Sequence, residues 1–338
     1  MNPNTPVLEV KNLRKLFTIG KRGILFGKER IVKAVDNVSI TIDRKETLAL
    51  VGESGCGKTT LAMTLMGIEK PTEGQILFEG RELTHTKGNT LKEWSRYIQM
   101  VFQDPYESLN PLKTIGDIVA EPLVVHGLAK DKKATEKKVL WALESAGLKP
   151  AEDYVHRLPQ ELSGGQRQRV VIAGAIILEP KVLLADEPVS MLDVSIRAEI
   201  LNLLGNLSAT QGISILYITH DLSTAAYFAQ RIAVMYLGRI VEIGGTQEVL
   251  RNAAHPYTKA LLSVIPVPNP RQRRERIILQ GDPPNAIDIP PGCRFHPRCP
   301  VAEQRCTLVD PQLIDLTPTH QAACILLDTN PHARCAAR

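Results

Sequence analysis

Two textures alternate along this chain. Short runs rich in β-branched residues recur at Val38–Ile42 (VSITI), Thr47–Val51 (TLALV), Gln75–Glu79 (QILFE), Tyr97–Phe102 (YIQMVF), Lys181–Asp186 (KVLLAD), Ile213–Thr219 (ISILYIT) and Arg231–Gly244. Segments such as Leu61–Met66, Ile115–Val125 and Ala198–Leu207 supply helices between them. This alternation predicts an α/β fold with a largely parallel sheet and helices on its faces; the closely spaced first strands read as an antiparallel edge. After Ile265 the texture breaks into PVPNPRQRRER and then GDPPNAIDIPPG. Dense proline and the basic run Arg271–Arg276 mark a linker with a small appended unit behind it. No internal repeat is visible, which predicts one catalytic core per chain.

Composition narrows the classes. With 338 residues, 43% of them apolar, the chain can bury about two domains' worth of core. The first residues, MNPNTPVLEVKNLRK, lack the basic-then-apolar order of a signal peptide, so a cytosolic chain with reduced thiols is expected. The longest apolar run, Val170–Leu178, stops at Glu179-Pro180 and is about half the ~20 residues of a membrane span. Any membrane role must therefore come through a partner. A formal charge of +5 is mild for this length and does not imply nucleic acid.

The first chemical motif is VGESGCGKTTLAM, which follows the strand TLALV and opens a helix, as a phosphate-binding loop requires. Gly52, Gly55 and Gly57 let the backbone of Gly52–Gly57, including Glu53, Ser54 and Cys56, turn its N–H groups around a phosphate chain. Lys58 reaches the terminal phosphates, Thr59 offers a hydroxyl to Mg²⁺, and Thr60 adds an N–H to the inner phosphate. Cys56 reads as a small residue in a tight turn and not as a metal ligand. Such a loop says "nucleotide" and leaves kinase, GTPase and motor open.

The later motifs choose among them. Gln103 in VFQDP, LSGGQRQRV from Leu162, KVLLADEP ending in Asp186 and Glu187, SMLD at Ser190–Asp193, and YITHD with His220 follow in order. Together they resemble the ATP-binding cassette (ABC) family over about Val7–Leu262. The resemblance implies a P-loop ATPase with a RecA-like parallel-sheet core, an antiparallel β edge subdomain and an α-helical subdomain at about 104–178. Asp186 ends an apolar strand, where a carboxylate is costly unless it pairs with a cation such as water-linked Mg²⁺. Glu187 would orient or deprotonate the attacking water, His220 would bond the γ-phosphate, and Gln103 would complete the Mg²⁺ shell. Phe17 matches the position where an aromatic ring stacks on adenine, with a core phenylalanine as the alternative. In the family, Leu162, Ser163, Gly164, Gly165, Gln166 and Asp193 meet ATP bound to the other cassette of a head-to-tail dimer.

Features outside the core narrow the branch. No long heptad segment splits the cassette, no second cassette follows, and no membrane helices are fused. VFQDPYESLNPLKTIGDIVAEPL, DEPVSMLDVSIRAEILNLL, HPYTKALL and PPGCRFHPRCP look like the ATPase subunits of oligopeptide and dipeptide importers. Met191 stands where alanine is usual. The resemblance implies a peripheral subunit at the cytoplasmic face of the membrane. Its partners would be a second ATPase subunit, a paralogue, two transmembrane permeases and, through the complex, an extracytoplasmic solute-binding protein, with no nucleic acid. The branch also takes up nickel and oligosaccharides, and a non-transport ATPase contacting nucleic acid is the other class. The runs Lys130–Lys138 and Arg271–Arg276 read as solvated, and Gly20–Arg30 as an exposed loop.

Four cysteines close the chain's chemistry. Cys293, Cys299, Cys306 and Cys324 are spaced by five, six and seventeen residues, and four thiolates suit zinc or an iron–sulfur cluster. The peptide-transporter resemblance implies a structural 4Fe-4S centre, with Cys335 outside the set. The expected organisation is an ABC ATPase domain at 1–265 and a small Cys-rich C-terminal extension at 266–338.

Overall fold

The computed structural model describes residues 5–19, 30–84, 86, 88–265, 276–282 and 284–327. The Gly20–Arg30 loop (except Arg30), the basic run 271–275 and Cys335 lie outside the described residues. The strands are β1 (Leu8–Ile19), β2 (Arg30–Ile42), β3 (Thr47–Val51), β4 (Glu73–Phe78), β5 (Arg81–Glu82), β6 (Ile98–Val101), β7 (Val182–Asp186), β8 (Ser214–Thr219), β9 (Arg231–Tyr236), β10 (Arg239–Gly245), β11 (Ile314–Thr317) and β12 (His320–Ala322). The helices are α1 (Lys58–Leu65), α2 (Asn89–Tyr97), α3 (Pro105–Ser108), α4 (Ile115–Val125), α5 (Lys132–Ser145), α6 (Glu152–Val155), α7 (Gly164–Ile176), α8 (Val194–Gln211), α9 (Leu222–Phe228), α10 (Thr246–Arg251) and α11 (Pro256–Ser263).

The main sheet runs β11-β12-β10-β9-β3-β8-β7-β6. From β9 to β6 neighbouring strands are parallel, whereas β10, β12 and β11 pair antiparallel at one edge. A second, antiparallel sheet, β2-β1-β4-β5, packs beside it. The central strands are apolar on both faces because both are covered. Ala49, Val51, Leu183, Ala185, Ile215 and Tyr217 point into the core beneath α4, α5, α7 and α8. Their neighbours Leu48, Leu50, Val182, Leu184, Leu216 and Ile218 point into the core shared with α1 and the antiparallel sheet. The parallel centre and the antiparallel pairing of the first strands match the sequence expectation, except that β1 and β2 lie in a sheet of their own and the antiparallel edge of the main sheet is β10, β12 and β11.

The Cys-rich extension is a correction. The sequence predicts a small appended unit behind a linker, held by a structural metal centre; the structure instead builds the described residues of this segment into the ATPase. Ala322 and Gln321 of β12 pair with Glu242 and Ile243 of β10, and Phe295 is fully buried in the main core. Glu242, itself buried, accepts from the backbone N–H groups of Ala254 (2.7 Å) and His255 (2.9 Å). Its Oε1 lies 2.7 Å from His320 Nε2 on β12. Burial alone would raise this carboxyl, but the His320 and backbone hydrogen bonds hold it below the usual carboxylate range. The apolar and polar partners that a tail of this size lacks internally are thus supplied by β9, β10 and α11.

Candidate nucleotide site

The glycine-rich loop joins β3 to α1 because its geometry demands glycine. Gly57 caps α1 at φ 109°, and a Cβ there would run into the Ala34 carbonyl. At Gly52 a Cβ would meet the Met235 carbonyl. The turn after β9 closes on the loop, with Gly238 N–H donating to the Cys56 carbonyl at 2.8 Å. Lys58 is buried, and its ammonium donates to the carbonyls of Gly52 (2.7 Å) and Glu53 (2.9 Å). Beneath them Asp186 is 4% exposed. Burial raises its pKa, opposed by a hydrogen bond from Thr59 and reinforced by the neighbouring Glu187 charge. A buried carboxylate with a single hydroxyl partner is what a cation would complete, so the residues fit Mg²⁺.

Glu187 follows in the left-handed region, φ 45°, held by its N–H to the Ile218 carbonyl at 2.9 Å. That backbone strain, about 1–3 kcal/mol, turns the carboxylate out of the sheet. Its Oε2 accepts from Gln103 Nε2 at 3.3 Å and its Oε1 lies 3.1 Å from His220 Nδ1. One open cleft of about 710 Å³ is lined by Phe17, Glu53, Ser54, Gly55, Gly57, Lys58, Thr59, Thr60, Gln103, Glu187 and His220. Phe17 stands on its wall, with Lys15 Nζ 4.6 Å from the ring centroid. Gly52, Cys56 and Asp186 are buried behind this lining.

Leu162, Ser163, Gly164, Gly165, Gln166 and Asp193 are not among the cleft-lining residues. Ser163 caps α7: its N–H donates to Gln166 Oε1 at 3.0 Å, and its hydroxyl accepts from Gln166 N–H at 3.3 Å. A serine, two glycines and a helix N-terminus form an anion-favouring surface away from this chain's own cleft. Sequence reasoning missed Val32, Ala34, Leu261 and Ala286 on the cleft wall, and Tyr257 and Arg298 behind Glu53. HPYTKALL carries Tyr257 and Leu261, but its spacing says nothing about which distant loop it meets.

The four cysteines converge. Cys293, Cys299, Cys306 and Cys324 line one cavity of about 10 Å³ with His255, Phe295 and His296. Yet among the described residues no group of three or more His, Cys, Asp or Glu is arranged to hold a metal ion. The four thiols meet in one place, packed beside His255 and Phe295. Burial pushes the Cys293 thiol up to about 11 and raises Cys299 and Cys324, so ligating thiolates here need a cation's charge beside them. The donor set suits a soft metal or cluster.

The family model for "ABC transporter" matches residues 35–190, and that for "Oligopeptide/dipeptide transporter, C-terminal region" matches 241–306. The dipeptide transport ATP-binding protein DppF of Haemophilus influenzae is 46% identical over 325 residues, covering 96% of this chain and 98% of the relative. This chain belongs to the ABC transporter family. Within that family, the oligopeptide transport ATP-binding protein AppF of Bacillus subtilis is 45% identical, covering 95% of this chain and 97% of the relative. Among solved structures, the dimeric ATP-binding cassette MJ0796 in a post-hydrolysis state with ADP and Pi superposes with a TM-score of 0.61 at 30% identity. It covers 71% of this chain and 98% of that one. This ABC protein is thus an ATP-binding, ATP-hydrolysing chain, and among the described residues no helix is long and apolar enough to cross a membrane.

Proposed function

We propose that this chain is the ATP-hydrolysing subunit of an importer for dipeptides or oligopeptides, working at the cytoplasmic face of the membrane. The observation that carries the motor reading is the separation of one ATP site into two surfaces. The phosphate loop, Asp186 and Glu187 share a cleft, while the Ser163 cap faces elsewhere and must close on a second cassette's nucleotide. The peptide class rests on the relatives' names and on the C-terminal family match. In this reading Glu187 orients the water, His220 and Lys58 meet the γ-phosphate, and Phe17 stacks on adenine. Thr59, Gln103 and Asp186 would hold Mg²⁺, which would supply charge neutralisation on the phosphates. We assign residues 1–265 to the ATPase and 266–338 to a C-terminal extension. The partners are a paralogous ATPase subunit and two permeases, with the solute-binding protein reached through them.

The coupling surface lies at α3. Tyr106 is 57% exposed, and the Arg167 guanidinium of α7 sits 4.3 Å from its ring centroid, one turn into the helix that Ser163 caps. A permease helix pressing on α3 would thereby move the surface that meets the second ATP. In membranes rebuilt with the permeases, the chain should drive ATP-dependent peptide uptake. Tyr106→Ala should lower uptake about tenfold while basal hydrolysis changes by less than about twofold, since the lost stacking is worth about 1 kcal/mol and no reacting group is touched. Equal losses of both, or hydrolysis with no uptake of any peptide, would refute the assignment.

We also propose that Cys293, Cys299, Cys306 and Cys324 hold a structural 4Fe-4S centre, with zinc as the alternative, once deprotonated and drawn into ligating geometry. Iron, sulfide and zinc content of anaerobically purified protein decides this: about four irons per chain support the cluster, stoichiometric zinc replaces it, and neither metal removes the proposal.

A further inference from the structure

We infer that Arg298 is a positioning residue of the phosphate loop: its bidentate ion pair with Glu53 fixes the loop's first turn and neutralises a carboxylate at the rim of the phosphate site. The C-terminal region thereby sets the affinity for ATP. This rests on the ATPase reading above and adds to it a determinant of nucleotide binding that lies outside the nucleotide motifs.

Glu53 is the second residue of the loop, and groups beyond residue 235 hold it at both ends. Its carboxylate takes two parallel hydrogen bonds from Arg298, Nη1 to Oε2 at 2.7 Å and Nη2 to Oε1 at 3.1 Å. Its backbone N–H donates to the Tyr257 hydroxyl at 3.0 Å. The Arg298 side chain is only 7% exposed, so the pair is poorly screened, and a fork-on-fork geometry fixes orientation as well as charge. Arg298 cannot swing away, because its loop is anchored by Phe295, packed against Tyr236 (5.2 Å between centroids) and Tyr257 (5.4 Å). A second anchor lies four residues earlier. Arg294 donates to the Asp36 carboxylate on β2 and to the Leu237 carbonyl, and the next residue, Gly238, donates to the Cys56 carbonyl of the phosphate loop. The two arginines of CRFHPRC therefore reach the same loop by separate routes.

The electrostatics have a sign. Glu53 lines the cleft that receives a triphosphate. An unpaired carboxylate there would repel it, and removing Arg298 also frees the turn whose N–H groups must point inward. Restoring neutrality by a second substitution should recover much of the loss, which a purely architectural role for Arg298 would not allow.

The test is direct titration of the purified full chain with a fluorescent Mg-ATP analogue, alongside steady-state hydrolysis and thermal melting. Arg298→Ala should raise the Kd about tenfold and the KM in parallel, with kcat at saturating ATP within about twofold. Arg298→Lys, which keeps a charge and loses the fork, should be about threefold weaker than the parent. The double variant Arg298→Ala/Glu53→Gln should return to within about threefold of it. A folded Arg298→Ala chain with parental Kd overturns the inference, as does a double variant no better than the single one. Should Arg298→Ala fail to fold, Arg298→Lys decides: parental affinity overturns the role and a measurable loss supports it. A parent chain that binds no Mg-ATP would overturn the ATPase reading together with this one, whereas normal parental binding with unresponsive variants overturns this one alone.

Discussion

Glu187→Gln should bind Mg-ATP as tightly as the parent and turn it over at least about 10²-fold more slowly, the usual contribution of a positioned general base. The geometry gives the reason. The carboxylate is clasped between Gln103 Nε2 and His220 Nδ1, stands at the edge of the cleft and is only 14% exposed. An amide of the same shape keeps the packing and loses both the charge and the basicity. On the proposed assignment the binding contacts to the phosphates come from Lys58 and the loop, which the substitution leaves alone. Since hydrolysis ends the closed state, the variant should accumulate as an ATP-bound dimer. Phosphate release and gel filtration with and without ATP measure the two halves of this claim. Turnover above about a tenth of the parental rate would remove Glu187 from its assigned role.

Lys58→Ala should fail one step earlier. Its ammonium is buried and already bonds two loop carbonyls, so the substitution removes both a positive charge aimed at phosphate and two hydrogen bonds that shape the loop. A hydrogen bond to a charged group contributes about 1.5–3 kcal/mol, which predicts Mg-ATP binding weaker by about 10- to 100-fold. Titration of the variant checks this, and an affinity within about threefold of the parent would contradict it. The pair of variants separates binding from chemistry: one loses turnover with ATP held, the other loses the hold.

The parts of the fold legible in advance were those with local causes. TLALV and KVLLAD are continuous apolar runs because α-helices and a second sheet cover both their faces, and Gly52 and Gly57 sit where side chains would strike Met235 and Ala34. Gln103, Glu187 and His220 lie at or just beyond strand ends on neighbouring strands β6, β7 and β8, so their meeting follows once the strands are parallel. What stayed hidden has no local cause. β11 and β12 are four and three residues long, too short for a period, and form because β10 offers an unpaired edge. Arg298 pairs with Glu53 across 245 residues, a distance no pattern spans. The cysteines could be counted, but that their thiols meet in one cavity beside His255 and Phe295 follows from how the tail packs on the core, which spacing does not encode.

The seat of β12 against β10 also fixes when the protein can become functional during its own synthesis. Translation runs from the N-terminus, so the phosphate loop, Glu187 and the whole parallel centre leave the ribosome while His320 is still unmade. Until residues 320–322 emerge, β10 keeps a bare edge and Glu242 keeps a buried charge lacking its imidazole. A ribosome that stalls or shifts frame before residue 320 would release a chain with every nucleotide motif intact and an open, adhesive sheet edge. The edge is thus finished by residues made well after the nucleotide motifs, and a chain cut short before them leaves β10 open to pairing with another chain.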